Sequence, residues 1–142
     1  MKTFLKLFFA SLSITFVFIT NEFVKSEEKI TIVPLIKTSK GLSGKNISYP
    51  RWQKAELRLF KVYIPVGLQT PIHQHPAPMV VYVNQGKLKH VRGEVVNYFK
   101  EGDSFVEADY GKEHFVESIG KKTAILFVGV SSVKGLPITI NK

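Results

Sequence analysis

The sequence predicts an all-β protein that folds as an antiparallel sandwich or a small barrel. Short runs of β-branched and aromatic residues recur along the chain, and Gly, Pro, Asn and Lys separate them. After residue 27, no stretch carries apolar residues at helical spacing over three turns. Many short strands with turn residues between them are typical of antiparallel sheets.

Nine segments have this strand pattern, and turn residues such as Asn84-Gln85-Gly86 and Glu101-Gly102-Asp103 lie between several of them. The segment Ser39–Lys54 lacks the pattern and is predicted to be a loop or arm that lies over the barrel. The predicted strands are Ile30–Ile36, Leu57–Ile64, Met79–Val83, Leu88–Val91, Val95–Phe99, Ser104–Val106, His114–Ile119, Ala124–Val130 and Pro137–Ile140.

The first 26 residues have the layout of a secretory signal peptide. Lys2 and Lys6 precede the uncharged, mostly apolar run Leu7–Thr20, and Val24-Lys25-Ser26 fits a cleavage site before Glu27. As a helix this run would span about 21 Å, which is short of the roughly 30 Å hydrocarbon core of a membrane. We therefore predict a signal peptide at 1–26, an N-terminal strand and arm at 27–56, and a β-domain at 57–142. The predicted location is periplasmic or secreted, without a membrane span after cleavage; an uncleaved N-terminal anchor is the alternative.

The charge and the absence of cysteine exclude several functions. The chain carries 20 Lys and Arg against 11 Asp and Glu, and it has no cysteine. Thiol chemistry, disulfides, zinc fingers and iron–sulfur clusters are therefore excluded. The net charge of +9 is attributed to a solvated basic surface, with an anionic polymer or lipid as an alternative partner. We expect no nucleic-acid partner, because the lysines are scattered and no helix is predicted to enter a groove.

The histidines carry the strongest functional signal. His73 and His75 are two residues apart, so on a strand their side chains point to the same face. His114 begins a later apolar strand, and imidazole is the commonest metal ligand near neutral pH. Two histidines of a loop, both facing solvent, are the alternative explanation of the first pair. The folded barrel would bring the three together as a metal site.

The glycines around these histidines give the chain a family resemblance. The stretch from Gly67 through His73 and His75 to Gly86 matches the first cupin motif, G-x5-H-x-H-x(3,4)-E-x6-G. The stretch from Gly102 through Gly111 and His114 to Ser118 matches the second, G-x5-P-x-G-x2-H-x3-N, more loosely. The resemblance covers about residues 57–140. The chain therefore resembles the small single-domain proteins of the cupin superfamily. This resemblance implies an antiparallel jelly-roll β-barrel, metal ligation by His73, His75 and His114 at its mouth, and a homodimer.

The chain departs from the family pattern at the fourth ligand. Met79 stands where the first motif has its glutamate, and Ser118 stands where the second has asparagine. A thioether suits soft ions such as Cu(I) better than hard ones, and Met79 as core filler is the alternative. The predicted cofactor is a divalent ion, with Fe, Mn, Zn, Ni and Cu all compatible with three imidazoles.

Four further side chains are candidates around such an ion. Glu107, which lies between Gly102 and His114, is the predicted catalytic group, as a base, a ligand or a hydrogen-bond partner of an imidazole. A solvated loop carboxylate is its alternative. Gln69, Tyr82 and Glu117 are candidates for substrate contacts or for supporting the ligands. His90 lies in the basic strand Lys87–Arg92 and is predicted to be a surface histidine.

Three hypotheses of function follow from these features. The first is a metal-dependent enzyme, such as an oxygenase, that acts on a small molecule. The second is a non-catalytic cupin that binds a small ligand or sugar in a cavity lined by Met79, Val81 and Val83. The third is a surface-associated interaction protein, which the charge and the arm favour.

Overall fold

The structure is a computed structural model that describes residues 34–36 and 38–142. The predicted signal peptide and most of the predicted first strand lie outside these residues. The described end of that strand, Pro34 to Ile36, has no strand structure. No helix in the described part of the chain is long and apolar enough to cross a membrane.

Strands alone form the regular structure of the described residues, as the sequence predicts. Most predicted strands are present with bounds shifted by a few residues, but the last is Ile140–Asn141 rather than Pro137–Ile140. The strands are β1 (Ala55–Ile64), β2 (His73–Gln74), β3 (Met79–Gln85), β4 (Lys87–Arg92), β5 (Val95–Lys100), β6 (Ser104–Glu107), β7 (Phe115–Ser118), β8 (Ala124–Val133) and β9 (Ile140–Asn141).

These strands form two main antiparallel sheets and one short pair. The larger sheet has the order β1-β8-β3-β6, the smaller has the order β5-β4-β7, and β2 pairs with β9. The fold is therefore all-β and antiparallel, as predicted, but the sheets do not join into one closed barrel.

Alternation along the strands creates the core between the sheets. In β3 and β8 every second residue is buried, as expected for strands with one face on a core. Leu88 of β4 and Val116 of β7 join the same apolar cluster as Val81, Phe105 and Leu126 of the larger sheet. The side chains of β4, β6 and β7 that share this inward face are the ones that reach the site described below.

One motif glycine is required by the turn that joins β3 to β4. Gly86 has a φ of +93°, and a Cβ on it would lie 2.8 Å from the Cα of Ala124. Both the left-handed backbone and this close approach exclude a side chain. The turn fixes β4 beside its neighbours and thereby sets which residues of β4 face inward.

The segment 39–54 lies over the domain, as predicted. It has no strand, only a single bridge between Lys40 and Asn46. The amide of Leu42 donates to the carbonyl of Val106 at 3.0 Å, and the Leu42 side chain packs against the core. The arm therefore covers the strand that carries Glu107.

Candidate metal centre

The three motif histidines lie together at one end of the core. Their donor nitrogens are within 4.8 Å of one another. The ring centroids of His73 and His75 are 4.7 Å apart, and the His114 ring is 4.4 Å from His73 and 5.0 Å from His75. All three residues are buried. The fold thus joins side chains from two segments that are separated in sequence.

Main-chain hydrogen bonds explain how His114 reaches the other two. The amide of His73 donates to the carbonyl of His114 at 3.0 Å, and the amide of His114 donates to the carbonyl of His73 at 2.8 Å. Two residues that exchange both bonds are direct neighbours across an antiparallel ladder, and directly opposite side chains lie on one face of a sheet. His75, two positions after His73, adds its ring to that face.

Each of these imidazoles has its Nδ1 atom beside a main-chain carbonyl. The Nδ1 of His73 is 2.7 Å from the Pro71 oxygen, and that of His75 is 2.9 Å from the Ile138 oxygen. The Nδ1 of His114 makes a longer contact of 3.4 Å with the Lys112 oxygen. A carbonyl can only accept, so Nδ1 carries the proton in each neutral ring. In each neutral ring the lone pair is then on Nε2, which is the tautomer that metal-binding histidines adopt.

The carboxylate of Glu107 lies against this group of rings. Its Oε2 atom is 2.8 Å from Nε2 of His75 and 3.3 Å from Nε2 of His114. The side chain is 6% exposed, so it is a buried group rather than a solvated loop carboxylate. Glu107 also lies directly opposite Met79 in the pairing of β3 with β6. The chain therefore places a carboxylate beside the position where the family motif has one.

The charge of Glu107 is stabilised by the imidazoles. Burial raises the pKa of Glu107, but its close contacts with His114, His75 and His90 outweigh burial and leave the pKa well below its usual range. For His114, burial lowers the pKa, and the adjacent Glu107 more than compensates, so the net shift is upward. Burial is also the main influence on His73, and there it leaves the pKa lowered. The surrounding imidazoles therefore favour the ionised form of the buried Glu107 carboxylate.

The prediction of a surface histidine at position 90 is wrong. His90 is 0% exposed, its Nε2 is 3.0 Å from Oε1 of Glu107, and its ring stacks on His114 with centroids 4.8 Å apart. The basic residues Lys87, Lys89 and Arg92 made this strand look solvent-exposed, although Leu88 and His90 share its buried face. The alternation of β4 was the signal that could have shown this.

Two of the short contacts to Glu107, those made by His90 and His114, are not well-aligned hydrogen bonds. Neither Nε2 of His90 nor Nε2 of His114 has a hydrogen-bond partner of adequate geometry among the described residues. In His90 the Glu107 oxygen is close, so it must lie to one side of the axis along which the ring nitrogen points. An unpartnered buried nitrogen costs free energy, and the Nε2 of His114 is one that an ion can satisfy.

The spacing of the Glu107 carboxylate from two of the imidazoles suits ligands of a single ion. Two ligand atoms about 2.1 Å from an ion and at right angles to each other are about 3.0 Å apart. The separations of 2.8 and 3.3 Å between Oε2 of Glu107 and the nitrogens of His75 and His114 bracket that value. Three neutral imidazoles and one carboxylate suit Zn, Fe, Mn, Ni or Cu. The residues present therefore fit a divalent ion.

A cavity of about 200 Å³ opens beside the donors. This is smaller than the roughly 300–1,000 Å³ typical of ligand pockets, so it admits only a small molecule. Most of its wall is apolar, and the polar groups are His73, His75, Glu107, Thr70, Thr139 and Asn141. The apolar lining is formed by Val62, Ile64, Met79, Val81, Phe105, Val116, Leu126 and Val128.

The other predicted site residues are divided between the cavity and the outside. Met79 is buried and lines the cavity. Tyr82 lies on the outward face of β3, and Gln69 is exposed, with neither side chain in the cavity wall. Glu117 points outward and pairs with Lys89 at 3.3 Å. Of the residues predicted to line a cavity together with Met79, Val81 does so, and Val83 lies in the core instead.

The part played by the C-terminal segment was not predicted from the sequence. Its Ile138 carbonyl contacts His75, and Thr139 and Asn141 line the cavity. β9 pairs with β2, so that Asn141 lies opposite His73. Every residue has a main-chain carbonyl, so residue type does not indicate which carbonyl will contact a histidine.

Comparison with known proteins identifies the fold. No family model matches the sequence, and no curated protein is significantly similar to it. Among solved structures, DMSP lyase DddQ from Ruegeria pomeroyi DSS-3 is 22% identical with a TM-score of 0.52, over 61% of this chain and 43% of that chain. A cupin-like protein from Thermotoga maritima is 20% identical with a TM-score of 0.50, over 61% and 64%. A protein from Bacillus halodurans is 16% identical with a TM-score of 0.51, over 60% and 68%.

These similarities show a cupin fold, as the sequence motifs predict. The match covers about three-fifths of this chain, which spans less than half the length of the DMSP lyase. At identities this low the likeness extends to the fold alone. Function must therefore be argued from the site.

Proposed function

We propose that this chain is a metal-dependent cupin enzyme that acts on a small molecule. The observation that carries the proposal is the convergence of three buried imidazoles, each with its Nδ1 against a main-chain carbonyl, so that Nε2 is the ring atom left for an ion. These carbonyl contacts orient the rings for a metal ion before the ion binds.

Protein residues supply the environment of the reaction. A bound divalent ion provides Lewis-acid activation of an oxygen-containing substrate. The carboxylate of Glu107 offsets one of its two charges, so a singly charged anion is the best-matched ligand. The apolar wall around Met79 and Val81 excludes water and strengthens these electrostatic interactions. Glu107, buried and ionised, is also placed to accept a proton from a substrate in the cavity.

Metal analysis tests this proposal directly. The purified full chain should bind about one divalent ion, and His73→Ala and His114→Ala should each abolish tight binding in isothermal titration. Glu117→Gln is a control on an outward-facing carboxylate and should bind like the wild type. A wild-type protein that takes up none of Fe, Mn, Ni, Cu or Zn would refute the proposal.

A non-catalytic ligand-binding cupin is the second candidate, and the small, mostly apolar cavity favours it. The two functions differ in turnover. The metal-loaded enzyme should consume a small anionic substrate, and an oxygenase reaction would show as oxygen uptake by the Fe(II)-loaded protein. A ligand that binds the loaded protein and is recovered unchanged under all these metals would favour the non-catalytic function.

We propose that the protein is exported and that the mature chain begins near Glu27. The sequence of the first 26 residues supports this, with its basic start and apolar run. N-terminal sequencing of protein from the culture medium or periplasm tests it. An intact Met1 on protein recovered from the cytosol would argue against export.

We also propose a homodimer formed through the outer face of β1. Leu57, Leu59 and Tyr63 lie on that face and are 83%, 74% and 58% exposed. Within the described residues β1 pairs only with β8, so it is an edge strand with an apolar outer face. Light scattering after size-exclusion chromatography should give a dimer for the wild type and a monomer for Leu59→Lys. A monomeric wild type at high micromolar concentration would refute the dimer.

A further inference from the structure

His90 is the most deeply buried member of the histidine cluster. It is 0% exposed and comes from β4, outside both cupin motifs. Neither of its ring nitrogens has a hydrogen-bond partner of adequate geometry among the described residues. A polar ring in this position costs free energy that an apolar side chain of similar size would not. Its presence therefore needs an explanation beyond packing.

The contacts of His90 lead to two of the donors of the metal centre. Its Nε2 atom is 3.0 Å from Oε1 of Glu107, while Oε2 of the same carboxylate faces His75 and His114. Its ring lies nearly parallel to that of His114, at an interplanar angle of 22°. His90 therefore contacts the Oε1 atom of the Glu107 carboxylate and the face of the His114 ring.

Direct ligation is the alternative role for His90, because the donor atoms of His90, Glu107 and His114 also lie within 4.8 Å of one another. Two observations favour a role exerted through its neighbours instead. His90 is absent from the cavity wall that His73, His75 and Glu107 line, and its Nε2 atom faces Oε1 of Glu107 at 3.0 Å.

We propose that His90 is a positioning residue of the metal centre, which holds Oε1 of Glu107 so that Oε2 is presented to the ion and which supports the ring of His114. The proposal rests on the metal site proposed above. Oε1 lies 3.0 Å from the His90 nitrogen but off its axis, and this role requires the ring or the carboxylate to rotate until the two align. Catalytic hydrogen bonds commonly tighten in this way when a site is loaded.

The consequence of this role is measurable in metal affinity. Replacing His90 by leucine keeps a buried side chain in the core but removes the nitrogen that lies 3.0 Å from Oε1 of Glu107. The change frees Glu107 to rotate and should weaken metal binding by about 10- to 100-fold, as is typical when a supporting partner of a ligand is lost. If His90 only packed against its neighbours, its replacement would leave the metal affinity and the geometry of the ligands unchanged.

Three variants of the full chain test the proposal. His90→Leu and His90→Gln are compared with Ser118→Ala, which also removes an unpartnered buried polar atom, on neighbouring β7. Zn(II) affinity is measured by competition with a chromophoric chelator, and the visible spectrum of the Co(II)-loaded protein reports the ligand geometry. We expect His90→Leu to bind 10- to 100-fold more weakly with an altered Co(II) spectrum, and Ser118→Ala to match the wild type. His90→Gln should recover part of the affinity, since its amide can still donate to Glu107.

The outcomes separate this proposal from the one on which it rests. If the wild type binds no metal, the metal site itself is refuted. If the wild type binds and both His90 variants bind with equal affinity and an unchanged Co(II) spectrum, only the role of His90 is overturned. Should His90→Leu fail to fold, the affinity and spectrum of His90→Gln decide the question in the same way.

Discussion

Replacement of Glu107 by glutamine tests the electrostatics of the site in the metal-free protein. The side chain keeps its volume and loses its charge, while three imidazole nitrogens remain within 3.3 Å. His114 is the partner whose pKa Glu107 raises. Without the carboxylate, burial is the main remaining influence, so the pKa of His114 should fall below its ordinary value of about 6.5.

The pH range over which Glu107 and His114 stabilise the fold follows from the directions of their pKa shifts. The depressed pKa of Glu107 contributes stability above its unfolded value of about 4.3, and that stability is lost as the pH falls through the folded pKa. The raised pKa of His114 contributes stability below about 6.5, and that stability is lost as the pH rises through the folded pKa. The pair is therefore fully stabilising between about pH 4.3 and 6.5. Removing one partner of a buried ion pair costs about 3–5 kcal/mol.

Because glutamine preserves the packing and can still accept a hydrogen bond, we expect a loss of about 3 kcal/mol at pH 5.5. For a domain of this size that is a fall of about 10 °C in unfolding temperature. At pH 9, where His114 is neutral, the variant should be within about 1 kcal/mol of the wild type, since a buried charge without a charged partner stabilises little.

Thermal unfolding with a chelator present, at both pH values, measures this difference, and the pKa of His114 is followed by NMR. Glu117→Gln on the outer face should change neither. An equal loss for Glu107→Gln at pH 5.5 and pH 9, or an unchanged pKa of His114, would show that the carboxylate acts only through packing.

Three further predictions concern loading, the hairpin and the cavity. Metal affinity should fall as the pH drops, because protons compete for the ligand nitrogens, and the raised pKa of His114 should start the fall above pH 6.5; a constant affinity between pH 8 and 6 would contradict this. Gly86→Ala should cost about 2–3 kcal/mol in urea unfolding, because a Cβ there lies 2.8 Å from Ala124 in left-handed backbone. Gly93→Ala, with left-handed backbone but no atom within 4 Å, should cost only about 1 kcal/mol. Met79→Leu conserves volume and should cost less than about 1.5 kcal/mol with unchanged Zn(II) affinity, and a large loss of affinity would mean that the thioether takes part in binding.

Sequence reasoning was most successful where chemistry and spacing coincide. His73, His75 and His114 could be assembled in advance because their residue type is uncommon and the two cupin motifs relate the segments that carry them. The strands of the core were found for a similar reason, since alternation in β3 and β8 reflects one buried face.

Predictions from the sequence were less successful where the role of a side chain depends on its burial and on the direction in which the fold points it. His90 looked like a surface residue because its neighbours are basic, yet the side chains of Lys87 and Lys89 point to the opposite face of β4. Glu107 was found as a candidate, but its burial and its position opposite Met79 depend on the register of β6 with β3. Gln69 and Tyr82 were selected for their closeness in sequence to the motifs, but Gln69 lies in an exposed loop and Tyr82 on the outward face of β3, so neither lines the cavity.

The contact between His75 and the Ile138 carbonyl ties the metal centre to the end of the chain. The segment that follows is short, pairs only through the two residues of β9 among the described strands, and is exposed. Coupling between two sites is reciprocal. If closing of this segment strengthens ion binding by some free energy, a bound ion must disfavour opening of the segment by the same free energy. In the metal-bound protein proposed above, the last residues would therefore open less often than in the metal-free protein. Amide exchange and carboxypeptidase digestion of the tail should slow on loading, so the state of the buried site is readable from the surface of the molecule.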